Sequence, residues 1–202
     1  INGSAANVHT VIDHAQVNHD TNFTVTISGT SAAAADLKAI DAITSGIITA
    51  TGVETITGSL SDVGDVVDVD TSKGNAGQQI DIDTDFNVTL SDTGTMSASA
   101  LNTLNGKVPG TVTVTAAVTL TGTASDIATA ASADNAGTLA LASNFGATVS
   151  TGAVDAADLI TIYGQTSATI NATAATGING SAANVHTVID HAQVNHDTNF
   201  TV

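Results

Sequence analysis

The chain has 202 residues, with 19 acids against three basic residues, all lysine, and a formal charge of −16. That balance excludes a nucleic-acid surface, which needs clustered Lys and Arg, and it opposes an anionic membrane. There is no Cys or Trp and aromatics are 2%, so no disulfide framework exists and any core must come from small and β-branched side chains.

Residues Ile1 to Val25 return letter for letter as Ile178 to Val202, a period of 177. A tandem array grows along one axis, so 1–202 is expected to be one continuous repeat array, with 178–202 duplicating 1–25. His9, His14 and His19 in this segment, and their copies His186, His191 and His196, are spaced by five. That spacing scatters them around a helix, unlike the i, i+4 pair of zinc sites, so surface or packing roles are expected.

Phe23 opens an alternating run, FTVTIS, that predicts a strand. DLKAIDAI at 36–43 places apolar residues on one helical face. IITATGVETITG at 47–58 alternates again and predicts a strand. Gly58 lets that strand turn into a helix, and Ser59 with Asp62 resembles a capping box.

Asp81, Asp83 and Asp85 alternate in QIDIDTDF, and on a strand they would share one face about 7 Å apart. With Asp68 and Asp70 upstream they form the candidate metal site, and calcium is the cation such oxygens would take. The match to an EF-hand loop fails, because Lys73 stands where that loop needs glycine. The other reading of these acids is a solvated face. No other cofactor is expected.

The same elements then recur. Phe86 opens FNVTLS, ALNTLNGK at 100–107 is helix-like, TVTVTAAVTLTG at 111–122 alternates, and Thr123 with Asp126 forms the cap. Phe145 opens FGATVS, DLITIYGQ at 158–165 is helix-like, 168–180 alternates, and Ser181 with Asn184 forms the cap. The sub-repeats are therefore 36–99, 100–157 and 158–202, the last continuing as 1–35 of the next period. Phe23, Phe86, Phe145 and Phe200 occupy one equivalent position, as expected of a packing ladder.

The expected fold is a β-rich repeat solenoid, with parallel sheets, short helices at the corners and three units of about 59 residues per period. The alternative is an array of β-sandwich-like domains. No nucleophile elbow, phosphate loop, zinc signature or paired-acid motif is present, so the chain is not expected to be an enzyme. No apolar run approaches the ~20 residues of a membrane helix.

The stretch FNVTLSDTGTMSASALNTLNGKVPGTVTVTAAVTLTGTASDIATA resembles the repeats of giant bacterial surface and adhesin-like proteins, cyanobacterial and marine. The likeness covers nearly the whole chain. It lies in the recurring succession of an alternating strand, LTGT and then A-x-D-[IV], and in no catalytic motif. It implies an extracellular or cell-surface location, a structural or adhesive role, and often calcium. The glycine-rich calcium nonapeptides of such proteins are missing here, and the strict 177-residue period departs from them. Expected partners are copies of itself or adjacent repeats joined end to end, and polysaccharide or the cell envelope. The function expected is a filament, matrix fibre or surface stalk built by linear stacking. The alternative is an adhesin or calcium-tuned spacer whose binding head lies elsewhere.

Overall fold

Helix starts follow the local chemistry legible in the sequence. The Ser59 hydroxyl accepts from the Asp62 amide at 3.1 Å and donates to the Asp62 carboxylate at 2.8 Å. Thr123 treats Asp126 the same way, at 3.0 and 2.8 Å. Ser4 and Ser181 accept from the amides of Asn7 and Asn184. Each cap satisfies an amide that the first turn leaves open. Gly58 and Gly122, at φ of 153° and 148°, make the bend just before the cap.

The structure, a computed structural model, describes residues 1–70, 79–197 and 201. The chain divides into two compact units, Ile1–Ser91 with Gly106–Thr113, and Asp92–Asn105 with Val114–Val202. Their limits do not coincide with the sub-repeat boundaries expected from sequence.

The first unit runs β1 (Asn2–Gly3), α1 (Ala5–Ile12), β2 (Val25–Ile27), β3 (Ser31–Ala33), α2 (Ala34–Ile43), β4 (Ile48–Ala50), β5 (Thr55–Gly58), α3 (Leu60–Asp68), β6 (Ile80–Ile82) and β7 (Asn87–Leu90). The second unit begins with β8 (Gly94–Ser97) and α4 (Ala98–Asn105). The chain then forms β9 (Val112–Val114), whose first two residues belong to the first unit. The second unit continues with β10 (Val118–Gly122), α5 (Ala124–Ala136), β11 (Leu139–Ala140), β12 (Gly146–Val149), β13 (Gly152–Asp155), α6 (Ala156–Tyr163), β14 (Ile170–Ala172), β15 (Ala175–Asn179), α7 (Ala182–Ile189) and β16 (Val194–His196). The fold is α/β, with mostly parallel sheets and seven short helices among the described residues.

In the first unit one sheet has the order β1-β2-β4-β6, and β3, β5 and β7 are consecutive in another. Thr26 of β2 lies opposite Asn2 on one side and Thr49 on the other. In the second unit the order is β8-β10-β12-β14-β16, with β13 beside β15. There Ala147 of β12 lies opposite Leu120 and Ile170. These ladders are parallel, which is not the antiparallel pairing of a sandwich.

Helices present one narrow apolar stripe each. Val63, Val66 and Val67 of α3, Leu101 and Leu104 of α4, and Leu159 and Ile162 of α6 are buried. Full burial of such a side chain is worth about 1.5–3 kcal/mol. Strand residues alternate: Ile48 and Ala50 point inward, as do Ile80 and Ile82.

The alternating runs 47–58, 111–122 and 168–180 are not the single strands expected of them. Each divides into two, β4 and β5, β9 and β10, and β14 and β15. β4 and β5 enter different sheets, with a tight turn between them in which the Val53 amide donates to the Ala50 carbonyl at 2.9 Å. Val53 is itself fully buried, so the period-2 pattern continues through the corner and hides it.

Candidate functional site

The charged side chains gather around the helices of the first unit. His9 on α1 meets Asp36 in the first turn of α2, with Nδ1 and Oδ1 2.8 Å apart. Lys38 on α2 reaches α3, with Nζ 2.6 Å from Asp62 and 2.8 Å from Asp65. Asp36 and Asp62 also sit in the first turn of their helices, near the positive end of the dipole. The hydrogen bonds to Asp62 and Asp65 hold the Lys38 ammonium above its usual range, and those from Lys38 and Ser59 hold Asp62 below the usual carboxylate range.

The pH dependence of this pair follows from those directions. The Asp62 contribution is present above its ordinary value of 3.8 and is lost as pH falls through its lowered folded value. The Lys38 contribution is present below 10.5 and is lost as pH rises through its raised folded value. Lys38→Met is therefore expected to lower Tm between those limits and to match the parent at either extreme. The gap should shrink in molar salt, because both partners face solvent. Thermal melts from about pH 2 to 12 check this.

Asp41 on α2 behaves oppositely. It is half-buried, its Oδ1 has no hydrogen-bond partner, and burial pushes its carboxyl up. Its ionised form thus costs stability at neutral pH, and the cost disappears as pH falls through the raised value. Asp41→Asn is expected to raise Tm at neutral pH and to leave it unchanged in acid, as paired melts would read.

The candidate calcium ligands do not share one strand face. β6 ends at Ile82, so Asp83 and Asp85 lie in the turn after it, and Asp83 Oδ1 accepts from the Thr84 amide at 2.7 Å. Asp81 is half-buried on β6 and Asp85 is exposed. Asp70 is buried, and its carboxylate accepts from the Ile82 amide at 3.3 Å. Asp68 is ion-paired with Lys107. Among the described residues no three His, Asp or Glu side chains are placed to hold a metal ion. Lys73, which breaks the EF-hand pattern, lies outside the described residues.

The histidines diverge. His19 turns back on its own segment, with Nε2 3.0 Å from the Ile12 carbonyl and its ring edge-on to Phe23 at 4.8 Å. His9, Thr10, Asp13 and His14 line an open cleft of about 290 Å³. The His9–Asp36 pair can hold a proton, but no hydroxyl or thiol is bonded to the far ring nitrogen among the described residues, so no nucleophile is presented. In the second copy His191 stacks on Tyr163, with ring centres 3.9 Å apart and planes at 12°.

Phe86 and Phe145 are fully buried and Phe23 is half-buried, while Phe200 lies outside the described residues. The ring contacts among the described residues are His19–Phe23 and Tyr163–His191, so the phenylalanines pack singly and form no stack of rings. The reason is spacing. Successive Phe residues are separated by an intervening helical turn of the chain, and neighbouring parallel strands are already about 4.8 Å apart.

What ties each Phe to its neighbours is its carbonyl. Thr44 Oγ1 donates to the Phe23 carbonyl and Thr166 Oγ1 to that of Phe145, each at 2.5 Å. The two hydroxyls also accept from the amides of Gly46 and Ala168, both at 3.0 Å. Next to them, the Ser45 and Ser167 amides donate to the carbonyls of Thr21 and Ser143. These clasps are not obvious from hydrophobic patterning. Aligning Asp36-Leu37 with Asp158-Leu159 finds them, since Thr-Ser falls at the same offset in both.

No helix among the described residues is long and apolar enough to cross a membrane. No family model matches the chain, and neither a curated protein nor a solved structure matches it.

Proposed function

We propose that this chain is a structural tandem-repeat protein, a solenoid of β-β-α turns that forms an extracellular filament, matrix fibre or surface stalk by linear stacking. One observation carries this reading. The strand after each Phe pairs backward with a strand that precedes a helix and forward with the first strand of the next turn. β2 does so between β1 and β4, and β12 between β10 and β14. β7 likewise follows Phe86 and pairs backward with β5. The pairing thus recurs at the spacing of the sequence sub-repeats, and the exact 177-residue duplication extends it beyond one period.

Composition supports the location. An acidic, cysteine-free chain has no thiols to mispair during export and repels its neighbours laterally. The buried positions are mostly Ala, Val, Ile and Leu, the sizes that thin stacked turns accommodate. The absence of an assembled nucleophile or metal-ligand cluster among the described residues is consistent with a mechanical role.

Electron microscopy of the native material tests the reading. Uniform filaments with an axial repeat equal to a whole number of units are expected. Closed particles of fixed size would sink it, and rods ending in a distinct head would favour the adhesin spacer. Aligned filaments should also diffract near about 4.8 Å along the axis, the spacing of stacked parallel strands.

A further inference from the structure

The same 25-residue sequence occurs twice in this chain, in complementary environments. In the first copy Ile1, Val11 and Val17 are 41%, 45% and 39% exposed. Their counterparts Ile178, Val188 and Val194 are 0%, 0% and 6% exposed. The opposite face behaves inversely. Ile12 is buried and Ile189 is not, and the His9 side chain is 34% exposed against 78% for His186. Each copy therefore has one face covered and one face open, and the open faces are opposite.

Backbone conformation follows the same rule. Val194–His196 is strand β16, paired in register with β14, Ile170 opposite Val194 and Ala172 opposite His196. The identical Val17–His19 is not a strand. Gln193 Nε2 donates to the Thr166 carbonyl at 3.1 Å, and its own carbonyl accepts from the Ile170 amide at 2.7 Å. His191 stacks on Tyr163. Among the described residues His14 has no such ring against it and instead lines the open cleft.

We infer that the exposed face of residues 1–19 is a docking surface for a second copy of this chain, whose residues 156–177 seat on it as they seat on residues 178–196 within one chain. This rests on the stacking reading above and names its interface. Val11 takes the place of Val188, His14 stacks on the second copy's aromatic ring at position 163, and Val17–His19 becomes a strand beside that copy's β14. The contact is heterologous and does not close on itself, so it propagates as an open chain. Strand addition at an open edge supplies main-chain bonds, and the apolar residues supply burial. Within a single chain the duplicate tail already occupies the acceptor, at an effective concentration in roughly the millimolar range or above. Docking is therefore weak until the tail is displaced.

The test uses the full chain, which has no cysteine of its own. Val188→Asp should release the tail from 156–177 and leave Val11 intact. A Tyr163→Cys chain carrying Val188→Asp is mixed with a His14→Cys chain and treated with a short bifunctional thiol reagent. Intermolecular product is expected to rise at least about tenfold over the same pair with Val188 intact. Adding Val11→Asp to the His14→Cys chain should remove that rise, and so should excess peptide with the sequence of residues 1–25. A control keeps the two readings apart: Tyr163→Cys with His191→Cys in one otherwise unchanged chain should cross-link internally. Internal product without the His14–Tyr163 product overturns the docking surface alone. No internal product sinks the stacking reading and this inference with it. A rise that Val11→Asp fails to suppress also overturns the proposal, since it marks non-specific aggregation.

Discussion

Phe145→Ala is expected to destabilise the second unit by about 3–5 kcal/mol, the usual range for emptying a buried aromatic position. The side chain is fully buried, and the backbone around it has little freedom to collapse. The Phe145 amide donates to the Ala142 carbonyl at 2.9 Å, and its carbonyl receives Thr166 Oγ1. A cavity in so constrained a frame stays open, which places the cost toward the upper part of the range. Phe86→Ala should match it in the first unit, while Phe23→Ala should cost clearly less, because that ring is only half-buried. Urea unfolding of the three variants checks the order, with each unit followed by its own probe, since two units need not unfold as one. Equal losses for all three would show that burial does not set the effect.

Thr166→Val should be the next most damaging change. It preserves shape and removes one hydroxyl, yet that hydroxyl serves two backbone groups, the Phe145 carbonyl and the Ala168 amide. Thr166 is buried, so water does not readily replace the lost partner. One orphaned acceptor and one orphaned donor together cost about 2–4 kcal/mol. Thr166→Ser keeps the hydroxyl and should recover most of the loss. Thr44→Val should repeat the effect in the first unit, where the clasp closes on Phe23 and Gly46. If the Val and Ser variants melt together, the hydroxyl is not the stabilising group and packing of the methyl is.

Local features are the most legible in the sequence. The caps at Ser59, Thr123 and Ser181 are visible there because a helix start is decided by a few adjacent residues. The helix-like runs beginning at 36, 100 and 158 form α2, α4 and α6, each starting two residues earlier than the pattern. The strands after Phe23, Phe86 and Phe145 also form where alternation places them. The acidic cluster is less legible. Alternation in QIDIDTDF suggests one continuous strand, but β6 stops at Ile82 and the later aspartates lie in a turn. Asp70 has the chemistry of a ligand and is instead buried beside β6. Lys38, which joins two helices, carries no motif at all, because its partners lie 24 and 27 residues away.

The second unit shows how strand pairing also escapes the pattern. β12 pairs with β10, while β13, which leads into α6, belongs to a different sheet with β15. Packed helices stand about 8–10 Å apart and parallel strands only about 4.7–4.9 Å, so helices and strands cannot both stack one over one without some offset. An additional strand in the turn that carries the Phe supplies such an offset. Nothing in a single apolar-polar alternation reports which sheet a strand will join.

The amino-acid order alone settles where helices start, which residues are apolar and that the chain repeats itself, since each depends on nearby side chains or on simple identity. It cannot settle the state of a segment whose partner lies elsewhere. Val17–His19 and Val194–His196 are the same three residues, yet only the second is a strand. The physical reason is that a strand's hydrogen bonds are made to its neighbour, so its conformation belongs to the pair, whereas a helix makes its hydrogen bonds within itself.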